Sequence, residues 1–128
     1  MNVSKNPLSP HLQIYRWQVS SLLSITHRIS GVINLLSLTL ILFWLIILSL
    51  GENNYELFLL TINSLFGKFI LIGFTWSMSF HILSGIRHLV WDIGYGFEIK
   101  TANISGVIVI ISSLVLTIIF WLFARGFI

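Results

Sequence analysis

Three long runs of apolar residues divide the chain. They cover residues 32–50, 69–91 and 104–124. A helix that crosses the hydrocarbon core of a bilayer needs about 20 consecutive apolar residues. Once the flanking turns are included, the runs therefore predict three transmembrane helices. The predicted helices cover residues 24–50, 69–93 and 104–125.

The segments outside these runs differ from them in character. Residues 1–23 contain two prolines, which mark turns, and the rings of Tyr15 and Trp17, which favour the headgroup region of a membrane. We predict a short amphipathic segment there. In the loop after the first run, Tyr55 and Leu59 lie four residues apart, at helical spacing, which predicts a short surface helix.

Composition agrees with an all-α integral membrane protein that forms one membrane-anchor domain over residues 1–128. Hydrophobic residues make up 56% of the chain and charged residues 9%, whereas soluble domains carry about 25% charged residues. The chain has no cysteine, which excludes disulfides and iron–sulfur clusters held by its own thiolates. The net charge of +3 is scattered, so we expect no binding to nucleic acid.

The basic residues are divided unequally between the two sides of the predicted membrane. Lys68 and Arg125 lie on one side. The other five lie on the side of the N-terminus and of the second loop: Lys5, Arg16, Arg28, Arg87 and Lys100. The positive-inside rule therefore places the N-terminus in the bacterial cytoplasm or the mitochondrial matrix.

The second run contains the strongest candidate for a functional residue, His81. Ionisable residues at membrane depth are rare and commonly functional. His81 is either an axial ligand of haem iron, with Gly85 leaving room for the flat macrocycle, or a histidine hydrogen-bonded to a neighbouring helix. At roughly 100° per residue, five polar or small residues share one helix face. They are Ser77, His81, Gly85, His88 and Asp92.

His81 and His88 cannot bind one haem from opposite sides, because they project from the same face of one helix. The first and third runs contain no histidine. A haem with two histidine ligands would therefore need the second one from another chain. Asp92 is open to three interpretations, as a hydrogen-bond acceptor for His88, as part of a proton path, or as a surface charge.

A second group of polar residues lies near the inner end of the first two helices. Ser24, His27 and Arg28 share one face of the first helix, and Arg87 and His88 reach the same level on the second. Arginines suit carboxylates such as haem propionates, and Ser24 with Arg28 forms a donor pair for a quinone carbonyl. Alternatively, the arginines extend to lipid phosphates and only set the topology.

Three motifs carry a resemblance to a known family. "SPHLQIY", "SITHRISG" and "HILSGIRHLVWDIGYG" resemble the cytochrome b large membrane-anchor subunits of succinate dehydrogenase, complex II. The resemblance implies that His81 is an axial ligand of haem b, and that a small hydrophobic anchor subunit supplies the second histidine. It also implies that His27 and Arg28 lie at the haem propionates, and that Ser24 and Arg28 bind ubiquinone.

The resemblance further implies a division of labour. Succinate would be oxidised in separate flavoprotein and iron–sulfur subunits, which dock on the inner face, while this chain contributes the quinone-reduction site but no catalytic residue of the dehydrogenase. His88, Asp92, Gly85 and Arg87 match the same motif, with supporting roles left open. The alternatives are an anchor of a quinol:fumarate reductase, a haem-less structural anchor, and a small oligomeric transporter or channel.

Overall fold

The computed structural model describes residues 16–127, with side chains to residue 125. Four α-helices fill this range and no strand occurs in it. They are α1 (Val19–Ser49), α2 (Glu52–Asn63), α3 (Leu65–Asp92) and α4 (Ile99–Phe127). Three of them, α1, α3 and α4, are long and apolar enough to cross a membrane, which confirms the predicted fold class. Most of the predicted amphipathic N-terminal segment lies outside the described residues.

Each membrane helix is longer than the apolar run within it. The first begins at Val19, after Gln18 as N-cap, and the last begins at Ile99. A backbone that enters lipid must satisfy its own hydrogen bonds, so helical structure continues through the polar interface, where hydropathy no longer marks it. The short surface helix predicted after the first run is α2, and this prediction is confirmed.

The turn between α3 and α4 is set by two glycines. Gly94 has a φ of 97°, a conformation that side chains disfavour. Its N–H donates to the oxygen of Trp91, and the N–H of Tyr95 donates to that of Val90. This is the Schellman arrangement that ends many helices. Gly96, with a φ of 81°, accepts a hydrogen bond from Trp91 Nε1 at 3.1 Å. The motif therefore reverses the chain and holds Trp91 at the end of α3.

The three membrane helices pack through small and polar residues. Only Leu23, Phe80 and Val109 form a buried apolar core among the described residues, one from each membrane helix. The other buried side chains are mostly hydroxyls: Ser30, Ser77, Ser79, Ser84, Ser113 and Thr117. Small side chains let helix backbones approach closely where lipid supplies no hydrophobic drive for association. The bundle is thus held by close contact and internal hydrogen bonds.

The outer surface of the bundle is strongly apolar. The most apolar stretch of α1 contains no buried residue, and large side chains such as Leu35, Phe43 and Ile46 are about half exposed. A surface of this kind belongs in contact with lipid tails or with other membrane helices. The chain is therefore an integral membrane protein.

Gly106 controls the approach of α4 to α1. A Cβ at this position would collide with Leu23 Cδ1 and press on Val19 Cγ1 at 3.3 Å. We expect Gly106→Val to lower the thermal midpoint of the purified protein, because the buried Leu23 side chain must shift to make room. Gly73→Val is the control, since a Cβ there meets no atom within 4 Å. Equal midpoints for the two variants would contradict this role of Gly106.

Candidate functional site

Three histidine rings form a stack between α1 and α3. His27 of α1 lies between the two histidines of α3, with its ring centroid 4.1 Å from that of His81 and 5.1 Å from that of His88. The corresponding interplanar angles are 11° and 28°. The sequence placed His81 and His88 on one helix face and His27 at a similar depth. The structure adds that His27 fills the gap between them.

One ring nitrogen of His81 has a hydrogen-bonding neighbour, and the other has none among the described residues. Its Nδ1 lies 2.9 Å from Ser30 Oγ, whereas Nε2 makes no hydrogen bond to any described residue. The backbone of α1 passes close to the ring, because a Cβ at Gly31 would lie in ordinary contact with His81 Cε1, at 3.4 Å. On α3, a Cβ at Gly85 would meet no atom within 4 Å, so there is open space one turn from the ring. The imidazole is thus oriented by α1 and offers one nitrogen.

These residues fit a haem, for which His81 would supply a nitrogen to the iron. The His27 Nδ1 atom is buried and has no hydrogen-bond partner among the described residues. Buried polar atoms normally have a partner, so this nitrogen is available to a group from outside the described part of the chain. Within residues 16–127, no three histidine, cysteine or acidic side chains are grouped to hold a metal ion. Imidazole nitrogen is a common ligand of haem iron, and the available nitrogen of His81 fits that chemistry.

A cavity of about 410 Å³ adjoins the stack at the end of α3. Ser24 and Arg28 both line it, in agreement with their predicted shared face, and His88 joins it to the histidine stack. The sequence also placed Arg87 at this level, but it did not indicate the rest of the wall. The residues that line the cavity are Ser20, Ser21, Ser24, Ile25, Arg28, Arg87, His88 and Trp91.

Arg87 is buried, with 6% of its surface exposed, and is committed mainly to α4. Its Nε donates to Ser105 Oγ at 3.0 Å, and one terminal nitrogen donates to the oxygen of Ala102 at 2.8 Å. Its Cζ lies 3.9 Å from the ring centroid of Trp91. From the sequence, Arg87 was a candidate for propionates or lipid phosphates. The structure shows that it braces α3 against α4 while it borders the cavity.

His88, Asp92 and Arg28 lie at the edge of the histidine stack and the cavity. His88 Nδ1 lies 2.7 Å from the oxygen of Ser84, in its own helix, and no hydrogen bond joins His88 to Asp92 among the described residues. Asp92 is exposed at the last residue of α3. Arg28 is also exposed, and its side chain is open to a ligand in the cavity.

The fold and the site together define a class: an α-helical integral membrane protein with an imidazole cluster between two spans. A family model for the succinate dehydrogenase/fumarate reductase transmembrane subunit matches residues 2–120. The chain belongs to this family, as a membrane-anchor cytochrome b subunit of the succinate dehydrogenase type.

Individual relatives cover nearly the whole chain. The succinate dehydrogenase cytochrome b556 subunit of Rickettsia prowazekii is 47% identical over 92% of this chain and 92% of its own length. That of Paracoccus denitrificans is 36% identical over 93% of this chain and 92% of its own length. The mitochondrial cytochrome b560 subunit of Mus musculus is 41% identical over 86% of this chain and 67% of its own length.

The brace formed by Arg87 can be tested by a change that keeps its length. We expect Arg87→Met to lower the thermal midpoint of the complex, because each lost charged hydrogen bond costs about 2 kcal/mol and leaves Ser105 without this donor. Arg125→Met, at an exposed arginine in the last turn of α4, is the control. A midpoint for Arg87→Met that matches the control would show that the contacts to α4 contribute little.

Proposed function

We propose that this chain binds haem b through His81 and forms part of a ubiquinone-reduction site, as an anchor of a succinate:ubiquinone oxidoreductase. The observation that carries the proposal is the continuity between the two halves of the site. His88 lines the cavity that contains Ser24 and Arg28, and it stacks on His27, which stacks on His81. The proposed iron ligand is thus connected through stacked rings to the cavity that holds the proposed quinone donors.

His81 is the residue that would hold the iron. Its Nε2 is the nitrogen without a hydrogen bond, and the open space beside Gly85 leaves room for a flat ring near α3. When bound, haem accepts and returns single electrons. The unpartnered Nδ1 of His27 supports a role for this ring toward a polar group outside the chain, and a haem propionate is the one we propose, together with Arg28.

The cavity supplies donors for the quinone. A quinone headgroup presents two carbonyl oxygens that gain negative charge as electrons arrive. The Ser24 hydroxyl and the Arg28 guanidinium, one helical turn apart, can donate to such an oxygen and stabilise the charge as it develops. Ile25 and Trp91 give the same cavity the apolar surface that a ring requires.

The remaining components would come from partner subunits. If the haem takes two histidine ligands, a small hydrophobic anchor subunit would supply the second, and the exposed apolar exterior offers contact area for it. Arg16, Arg28, Arg87 and Lys100 lie at the end of the bundle that contains the cavity. In the orientation that we propose, this is the inner face, where an iron–sulfur subunit delivers electrons released from succinate in a flavoprotein subunit.

The haem ligand can be tested by comparing the two histidines of α3. We expect His81→Ala to remove the b-type absorption band of the complex, because no other nitrogen in the stack takes its position. His88→Ala should keep the band, since its Nδ1 is bound to its own helix and its ring faces the cavity. Reduced-minus-oxidised spectra measure both. An unchanged spectrum for His81→Ala would show that His81 is not the haem ligand.

The quinone donors can be tested by separating two activities. We expect Ser24→Ala and Arg28→Leu to decrease succinate-driven ubiquinone reduction by roughly tenfold or more, as the loss of a donor to developing charge does elsewhere. Reduction of a water-soluble dye by the dehydrogenase subunits should stay at the parent rate. Thr26→Val is the control, because the Thr26 hydroxyl donates to Leu22 in its own helix and does not line the cavity. An equal decrease in both activities would indicate a structural role for the pair.

A further inference from the structure

Ser30 contacts the proposed haem ligand but was not among the residues singled out from the sequence. It lies on α1, with 2% of its surface exposed, and its Oγ has two neighbours. One is the backbone oxygen of His27, at 2.7 Å, and the other is Nδ1 of His81, at 2.9 Å. The hydroxyl therefore joins the backbone of α1 to a side chain of α3.

A serine hydroxyl has one hydrogen, and this decides the direction of both bonds. A carbonyl oxygen can only accept, so the Ser30 hydrogen is donated to His27. The lone pairs of Oγ then face His81 Nδ1, and a hydrogen bond forms there only if Nδ1 carries the hydrogen. A neutral imidazole with hydrogen on Nδ1 has its lone pair on Nε2.

We propose that Ser30 is a positioning residue that fixes the tautomer and the ring orientation of His81, so that Nε2 points its lone pair at iron. The inference rests on the proposed function, because it concerns the same ligand. Histidines that bind metals commonly donate their other N–H to an acceptor, which orients the ring and raises its donor strength. Here the acceptor comes from a different helix than the ligand.

The acceptor is itself held in place. The Ser77 hydroxyl, which is fully buried, lies 3.1 Å from the backbone oxygen of Ser30 and 2.9 Å from Asn34 Oδ1, and these two acceptors share its single hydrogen. Ser77 lies on α3, one turn before His81. Two side chains of α3, His81 and Ser77, therefore donate to Ser30 of α1 at this level, and the Ser77 contact helps to keep Ser30 beside the imidazole.

Ser30→Ala removes the acceptor with minimal change in volume. Ser113→Ala is a matched control, because Ser113 is fully buried and its Oγ donates to the carbonyl three residues earlier, Ile110, as Ser30 does to His27. The two changes thus remove the same kind of helix bond, but only Ser30 contacts a histidine. The assembled complex is purified, and its haem content, haem midpoint potential and ferric low-spin EPR spectrum are measured.

We expect Ser30→Ala to shift the midpoint potential upward and to change the EPR spectrum, because a weaker and less constrained imidazole stabilises ferric iron less. Ser113→Ala should match the parent complex in both. Loss of haem from Ser30→Ala but not from Ser113→Ala would also support the proposal. A Ser30→Ala complex with full haem and the potential and EPR spectrum of the control would overturn it.

The same measurements distinguish this inference from the proposed function. If the parent complex contains no b-type haem, or if His81→Ala retains the parent spectrum, the assignment of His81 fails, and this inference fails with it. If His81→Ala loses the haem while Ser30→Ala behaves as the control does, the ligand stands and only the role of Ser30 is wrong.

Discussion

The contact between α1 and α3 is the interaction on which the rest of the site depends. Polar groups at membrane depth find no water, so each must find a partner inside the protein or incur a large cost. Ser77 shares its hydrogen between oxygens of Ser30 and Asn34 across this contact, and the Ser30 hydroxyl meets His81. The helix interface and the functional site are therefore the same set of hydrogen bonds. A change that separates the helices would also release the imidazole.

A second contact, between α3 and α4, gives the cavity its shape. Arg87 bonds to Ser105 and Ala102, and its guanidinium lies over Trp91, whose indole nitrogen bonds to Gly96 in the following turn. The Arg87 guanidinium thereby interacts with the protein and not with lipid headgroups. The same contacts hold the Trp91 indole in place as part of the cavity wall. Among the described residues, only Arg28 remains as an exposed guanidinium at this cavity, which separates the bracing contacts of Arg87 from the ligand-binding role that we propose for Arg28.

The membrane spans and the shared helix faces could be predicted from local sequence patterns. The contacts between helices could not, because they join residues that are far apart in the sequence. Apolar length predicts the spans, and helical spacing places Ser24 with Arg28 and His81 with His88. Spacing along one helix indicates a face, however, and not the residue that meets it on another helix. The position of His27 between the α3 histidines, and the commitment of Arg87 to α4, depend on contacts between helices. For the same reason Ser30, which resembles any small interface residue in the sequence, could not be recognised as a partner of His81.

The hydrogen-bond directions in the stack have a consequence for the movement of charge. His81 Nδ1 faces a hydroxyl that can only accept from it, and His88 Nδ1 faces the carbonyl oxygen of Ser84, so both hydrogens are committed to fixed acceptors. In the proposed function, iron occupies the remaining nitrogen of His81, and this ring then has no nitrogen with which to carry protons. In the proposed function, protons would therefore reach the quinone past the polar side chains that line the cavity, such as Ser20, Ser24 and Arg28, and not through the His81 ring.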